Sequence, residues 1–465
     1  MLQPLLLERV LEAALSRGGE FAEIFVEDKN RAHFEMIGGR LENALGGREY
    51  GLGLRIVKGV NSFYAYTNET EESALIQFAK QLSAMAGSND HQAAVKLSQR
   101  SYQPRHHFKI LPETVSANEK TQWIRGLSAR AAAYDPMIRQ TVVTYMDEDQ
   151  SVQIANSEGL LTQDRRVRTR TSVNCVAEHN GEMQSGGHNL GGLAGFELYE
   201  KVDPDALALK AAKIAVTMAK ADHAPSGRLP VIIDNGFGGV IFHEACGHGL
   251  EAAFIAKGTS VYTGLLGEKI ASDLVTAIDD GTIENGWGSG HVDDEGTPTQ
   301  RNVLIENGML KAYLVDRLSG KKLGMPSSGS GRRQSYKFAA TSRMSNTFIA
   351  PGKSKLEDMI SETDYGLYAS SMGGGSVNPA TGEFNFSVNE AYMIRGGKLA
   401  EPVKGATLIG AGSEILKKID RVGDNLAYGY GMCGAASGSI PAIVGQPAIR
   451  VSEITVGGRN GGDAK

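Results

Sequence analysis

Residues 229–251 read L-P-V-I-I-D-N-G-F-G-G-V-I-F-H-E-A-C-G-H-G-L-E. Leu229 to Ile233 is a short apolar run, the pattern of a buried strand, and Asn235 to Gly239 is a tight glycine-rich turn. From Val240 a helix follows that carries two imidazoles, His243 and His248, with Glu244 directly after the first. Such groups on a buried helix are hydrogen-bonded core residues, or else they bind a metal that offsets their loss of water. A His pair with an adjacent carboxylate is the kit of zinc hydrolysis: two neutral nitrogen ligands, and a base to take a proton from metal-bound water. The spacing departs from the common H-E-x-x-H form. There the histidines sit at i and i+4, about 40° apart around a helix, whereas i and i+5 lie about 140° apart. The stretch therefore predicts a helix that carries a π-type bulge through Glu244 to His248, or breaks near Gly247.

The surrounding chain has 465 residues, enough for two or three domains. It is 41% hydrophobic and 22% charged, as ordinary soluble globular proteins are. A net charge of −5 with no sustained basic run argues against a nucleic-acid partner. Three scattered cysteines, Cys175, Cys246 and Cys433, are too few for a disulfide framework and point to the reducing cytoplasm. The N-terminus carries Glu8 and Glu12 without a basic leader, so it reads as an amphipathic helix and not a signal peptide. No segment approaches 18 uninterrupted apolar residues, so no membrane span is expected.

Upstream of the histidines the order helix, strands, helix occurs twice. Leu5, Leu6, Val10, Leu11, Ala14 and Leu15 form one helix face that stops at Gly18-Gly19. Alternating runs follow at 22–26, 32–37, 52–57 and 62–66, then a helix opened by Thr70. The second round has a helix near 116–134, strands near 140–146, 152–154 and 167–177, and a helix at 204–220. The basic alternation Arg166 to Arg170 reads as a solvated strand face. Residues 221–230, A-D-H-A-P-S-G-R-L-P, mark the best domain boundary. Beyond it come hairpin signals at Asn307-Gly308 and Gly396-Gly397, and clean alternation at Phe384, Phe386 and Val388. Two short helices near 356–360 and 415–419 interrupt these strands.

The fold class is α+β. An N-terminal α+β part, 1–223, layers helices on antiparallel sheet, with two similar subdomains at 1–88 and 114–223. A β-rich part, 224–465, is mainly antiparallel and carries the His-Glu helix.

A catalytic zinc has three protein ligands and one open position. The candidates for the third are Glu251, His291, the run Asp293-Asp294-Glu295 and Cys433. The acidic run, beside Gly296 and Pro298, reads as an exposed turn. Cys433 lies in G-Y-G-M-C-G-A-A-S-G, a glycine-rich loop unsuited to a core, where a thiolate ligand would explain it. Cys175 and Cys246 read as small buried hydrophobes.

Several motifs together resemble the TldD branch of the TldD/PmbA proteins. They are H-E-A-C-G-H-G-L-E-A at 243–252, D-D-G-T at 279–282, D-D-E-G at 293–296 and V-L-I-E-N-G at 303–308. Further on come G-R-R-Q-S-Y at 331–336, P-V-K-G-A-T-L-I-G at 402–410 and G-M-C-G at 431–434. The resemblance spans residues 229–459 and is looser over 1–220. It implies a cytoplasmic zinc metallopeptidase that cleaves unfolded or small peptides in an enclosed chamber. It also implies a dimer, with a related PmbA-type subunit or with itself. The family's ligands carry over to His243, His248 and Cys433, and its catalytic carboxylate to Glu244. Two other functions compete: a regulator acting through a protein partner, as in modulation of DNA gyrase, and another zinc hydrolase such as an amidase.

Overall fold

A computed structural model describes residues 1–88, 91–378 and 381–459. The fold is α+β, with mostly antiparallel sheets. Residues 21–192 supply one twisted sheet whose strands are far longer than the apolar runs in the sequence. Phe21–Ile37 and Arg40–Lys58 form a hairpin through Gly38 and Gly39, both at positive φ. Asn61–Thr67 flanks this hairpin on one side; Ile138–Asn156, Leu160–His179 and Glu182–Gly192 follow on the other. Both helix–strand–helix rounds thus contribute to one sheet.

Alternation along these strands sorts the two faces. Ile24, Val26, Leu54 and Ile56 pack under helices Pro4–Leu15 and Glu72–Ala86. Val143, Tyr145, Val173 and Cys175 pack under Ala117–Ala132 and Pro204–Lys220. The first helix buries the expected Val10, Leu11, Ala14 and Leu15, adds Leu7, and leaves Leu5 58% exposed.

The other face of the sheet carries Glu23, Glu27 and Lys29 from the first strand, Arg55 from the second, and Asp164, Arg166 and Arg168 from Leu160–His179. All of them are buried. Neither the basic alternation nor the acidic run is therefore a solvated surface: residues 287–295 and 331–336 of the C-terminal part cover this face. Glu23 accepts from Arg55 at 2.9 Å and from Arg333 at 2.6 Å, and Arg55 also reaches Glu295. Arg166 bridges Asp164, at 3.0 Å, and Asp294. Asp164 completes the chain with a 2.7 Å bond to His291 Nδ1. Burial disfavours these carboxylates, yet the facing guanidiniums hold Glu23 and Asp294 below the usual range. Asp293 is pushed well up by burial and by Glu295.

The C-terminal part adds a barrel and a second sheet. Tyr365–Val377, Gly227–Ile233, Ile449–Gly457, Thr407–Ala411 and Glu383–Arg395 pair in that order, and the last closes on the first. The second sheet runs Met309–Leu310, Arg301–Glu306, Ala277–Asp280, Asn346–Ile349, Gly438–Gln446, Ala427–Ala435. Asn307 and Gly308, and likewise Gly396 and Gly397, hold the positive φ of primed hairpin turns, as their sequences require. Leu356–Ser361 is helical as expected, the second short helix runs earlier than expected, over Gly412–Ile415 and Leu416–Lys418, and a further one at Arg317–Leu323 is capped by Asp316. The His-Glu segment buries Phe242, Ala245, Cys246 and Leu250 in a core that also holds Phe384, Phe386 and Leu408 of the barrel.

The ionic seam yields a stability test. Arg55→Met strands Glu23 and Glu295 in the interior, so denaturant unfolding should show a loss of about 3–5 kcal/mol. Arg395→Met, which breaks the exposed Arg395–Glu401 pair, should leave the midpoint unchanged.

Candidate metal centre

The helix that carries the histidines is irregular where the spacing requires it. Val240–Phe242 is α-helical, His243–Gly247 is a π-turn, and His248–Leu250 is 3-10. The amide of His248 donates to the carbonyl of His243, an i to i+5 bond that widens the turn by one residue. A Cβ on Gly247 would lie 2.3 Å from Met344 Sδ, and one on Gly412 would lie 1.8 Å from the Ala245 carbonyl. Bare backbone at these two positions lets the barrel and its neighbours close around the widened turn.

The two imidazoles consequently face one point. Cys433 Sγ lies 3.1 Å from His243 Nε2 and 3.3 Å from His248 Nε2, and the two rings stand at 85°. Cys433 belongs to the strand Ala427–Ala435, not to a loop, and is buried opposite Ile440. Arg343 fixes its backbone by donating Nη2 to the Cys433 carbonyl at 2.5 Å. Glu251 does not join the donors. Its Oε1 sits 3.0 Å from His248 Nδ1, which turns Nε2 of that ring toward the cysteine. Nδ1 of His243 is buried and has no hydrogen-bond partner among the described residues. The Glu244 carboxylate is 3.8 Å from His248 Nε2 and keeps about a fifth of its surface open. His291 and the 293–295 carboxylates lie in the ionic seam. The i, i+3 spacing of His248 and Glu251 is a signal that the sequence offered for that pair; nothing local to Arg343 marks it.

The electrostatics separate the three cysteines. Burial pushes Cys175 up to about 11 and Cys246 up to about 12. Burial also acts against the Cys433 thiolate, but the charge and hydrogen bonds of His243 and His248 outweigh it and pull Cys433 down to about 3. Against burial, Glu251 and Cys433 hold His248 well above its ordinary value.

These donors fit a tetrahedral ion. Bonds of about 2.0–2.1 Å to nitrogen and 2.3 Å to sulfur put neighbouring ligand atoms roughly 3.3–3.6 Å apart, close to the 3.1 and 3.3 Å from the Cys433 sulfur to the two imidazole nitrogens. Among the described residues this is the one group of three such side chains whose donor atoms all lie within 4.8 Å of one another.

Sequence profiles agree across the chain. Those for PmbA/TldA metallopeptidase domain 1, the central domain and the C-terminal domain match residues 22–86, 110–219 and 226–458. The chain belongs to the PmbA/TldD metallopeptidase family. It is 38% identical to a metalloprotease TldD homolog of Haemophilus influenzae over 419 residues, which cover 88% of this chain and 87% of that one. The Buchnera aphidicola homolog from the pea-aphid strain is 36% identical over 417 residues, covering 88% and 86%. A more distant relative, 26% identical over 77% of this chain and 81% of its own, is named a zinc metalloprotease TldD homolog in Saccharolobus solfataricus. TldE of Thermococcus kodakarensis shares the fold with a TM-score of 0.76 at 20% identity, over 97% of this chain and 98% of that one. This TldD relative is accordingly a peptide-bond hydrolase of the metalloprotease class.

Metal content tests the donor set. Cys433→Ala should lose both metal and activity, whereas Cys175→Ala should retain both. Glu251→Gln should weaken metal affinity by about 10–100-fold in chelator competition while leaving the fold intact.

Proposed function

We propose that this chain is a zinc-dependent peptidase for unfolded or small peptides, with His243, His248 and Cys433 as the metal ligands and Glu244 as the general base. The observation that carries this reading is the convergence of two imidazoles and one thiolate beside a partly open carboxylate. One thiolate and two imidazoles suit zinc, and leave a divalent ion with a net charge of about +1. When bound, zinc supplies Lewis-acid chemistry, polarising the scissile carbonyl and acidifying the attacking water. Glu244 takes the proton of that water and passes it to the leaving amine. Glu251 holds His248 in the ligating tautomer, and Arg343 holds the backbone of Cys433.

Substrate shape follows from an open strand edge. Tyr365–Val377 pairs with Gly227–Ile233 only through Leu367, Tyr368 and Ala369. Beyond Ala369 no described strand continues on that edge, and Ser370 to Gly374 line a cavity of about 450 Å³. Phe237 and Gly238, just before the His-Glu turn, and Tyr428 to Tyr430, on the cysteine strand, form further walls, and Arg170, Asn174 and His188 of the N-terminal sheet face them. An extended peptide would add to this edge by backbone hydrogen bonds, with Gly373 and Gly374 offering no side chain to obstruct it. A folded protein cannot present such a strand.

The fold shared with TldE supports a dimer, with a PmbA-type subunit or with a second copy of this chain. Among the described residues no helix is long and apolar enough to cross a membrane. The three cysteines are free, which supports a reducing, cytoplasmic setting.

Glu244→Gln decides the class. The variant should keep full zinc occupancy and lose about 10²–10⁴ of kcat. The wild type should cut an unfolded protein and leave its stably folded form intact; equal rates on both would defeat the extended-strand reading.

A further inference from the structure

A second cavity, of about 180 Å³, opens between the charged face of the N-terminal sheet and the strands that flank Cys433. Met432, the residue before the cysteine, forms one wall, with Ile440, Pro441 and Trp287. Six basic side chains line it against two acidic ones, Glu148 and Asp294. Three of the cations have close carboxylate partners: Arg166 pairs with Asp164 and Asp294, Arg333 with Glu23, and Lys29 with Glu27 at 3.0 Å.

Arg168 and Arg332 differ. Arg168 is buried and donates Nε to the Trp287 carbonyl and Nη2 to the Ser289 carbonyl, both at 3.1 Å. Its nearest carboxylate, Glu148, is 3.8 Å from Nη1. Arg332 donates to the carbonyls of Met344 at 2.5 Å and Pro441 at 2.9 Å. Among the described residues no carboxylate lies within the 4.0 Å of an ion pair with it. Neutral carbonyls thus clamp both guanidiniums in place, and among the described residues Glu148 is the one carboxylate within ion-pair reach of either. Burial, aided by repulsion from Arg166 at Arg168 and from Arg168 and Arg343 at Arg332, outweighs the neighbouring carboxylates and draws Arg168 and Arg332 each down to about 10. Arg31, exposed at the rim, adds a third positive charge with no ion pair of its own among the described residues.

We infer that this cavity is a subsite for a substrate carboxylate, held by Arg168 and Arg332 beside the strand that carries Cys433. The proposal rests on the peptidase reading above. Two fixed planar guanidiniums match a carboxylate, and filling the site restores the counter-charge that burial withholds. The apolar wall of Met432, Ile440 and Pro441 and the small volume admit one amino-acid side chain or a chain end, not a nucleotide. The carboxylate is therefore that of an acidic side chain or of the peptide's C-terminus.

The test uses the zinc-loaded full chain and matched peptides that differ only in a C-terminal acid or amide, or in an internal Glu or Gln. In the wild type, neutralising the relevant carboxylate should lower kcat/KM tenfold or more, and which pair shows the drop identifies the source. The acid-to-neutral ratio should collapse to within about twofold in Arg168→Gln and Arg332→Gln, and fall two- to threefold in Arg31→Gln. Arg31 is exposed, so its variant keeps the test open should the buried variants fail to fold. A wild type indifferent to both pairs, or folded variants that keep the full ratio, would overturn the proposal. A second measurement is independent of turnover. In a Trp123→Phe background, Trp287 fluorescence should respond to acetylglycine and not to acetylglycinamide. Absence of hydrolysis with that response intact would count against the peptidase reading alone. Absence of the response, or tighter binding of inorganic phosphate than of acetylglycine, would overturn the carboxylate site.

Discussion

Two imidazoles five residues apart can aim at one point only if the helix between them gains a residue. The hydrogen bond from His248 to the His243 carbonyl provides that extra residue, and much of the surrounding architecture accommodates it. Gly247 and Gly412 give up their side chains so that Met344 and the Ala245 carbonyl can close in. Tyr262 donates to that same carbonyl, and the barrel packs Phe384 and Phe386 into the core beneath. A regular helix would relieve these close approaches, but it would splay the rings by about 140°.

The widened turn supplies two donors, and the third arrives from a strand nearly two hundred residues later. Gly227–Ile233 feeds the turn from the barrel, while Ala427–Ala435 is the edge of a different sheet. Contacts across the gap hold the two in register: Gly236 bridges to Tyr428, and Arg343 ties the Cys433 backbone. The same edge strand passes both cavities. Arg170 of the N-terminal sheet donates to the carbonyl of Tyr430, three residues before the cysteine, and Trp287, from the segment that covers the sheet, donates to that of Gly431. The N-terminal sheet thereby lines both cavities as well as serving as a scaffold.

That seam also shows why burying so much charge is tolerable. The guanidiniums that face Glu23 and Asp294 hold both below the usual carboxylate range against burial, Glu23 between two cations and Asp294 with a backbone amide besides. Burial, Asp316 and Glu23 raise Glu295 despite Arg55. A seam of this kind is costly to break one partner at a time. It fixes the orientation of the two parts more sharply than apolar packing would, because a shifted register would strand unpaired charges.

Local chemistry was legible in the chain itself. The α+β class, the helix at 204–220, the hairpin turns at Asn307-Gly308 and Gly396-Gly397, and the irregular His-Glu helix all follow from periodicity, turn residues and the geometry of a single helix. The family motifs carried the expectation about Cys433. What the sequence misjudged were faces and environments. Arg166 to Arg170 and Asp293 to Glu295 each look solvated alone, because charge reads as exposure until its opposite is brought alongside from elsewhere in the chain. The long strands at 21–58 were cut short for the same reason, since their polar and glycine positions take partners from neighbouring strands. Glu251 was weighed as a ligand, and only the path of the chain after His248 turns it to the far nitrogen of that ring. Spacing along the chain determined how the two histidines must be presented. Tertiary structure alone decided what meets them, because a thiolate, a guanidinium seam and an open strand edge come together only through contacts that no local pattern encodes.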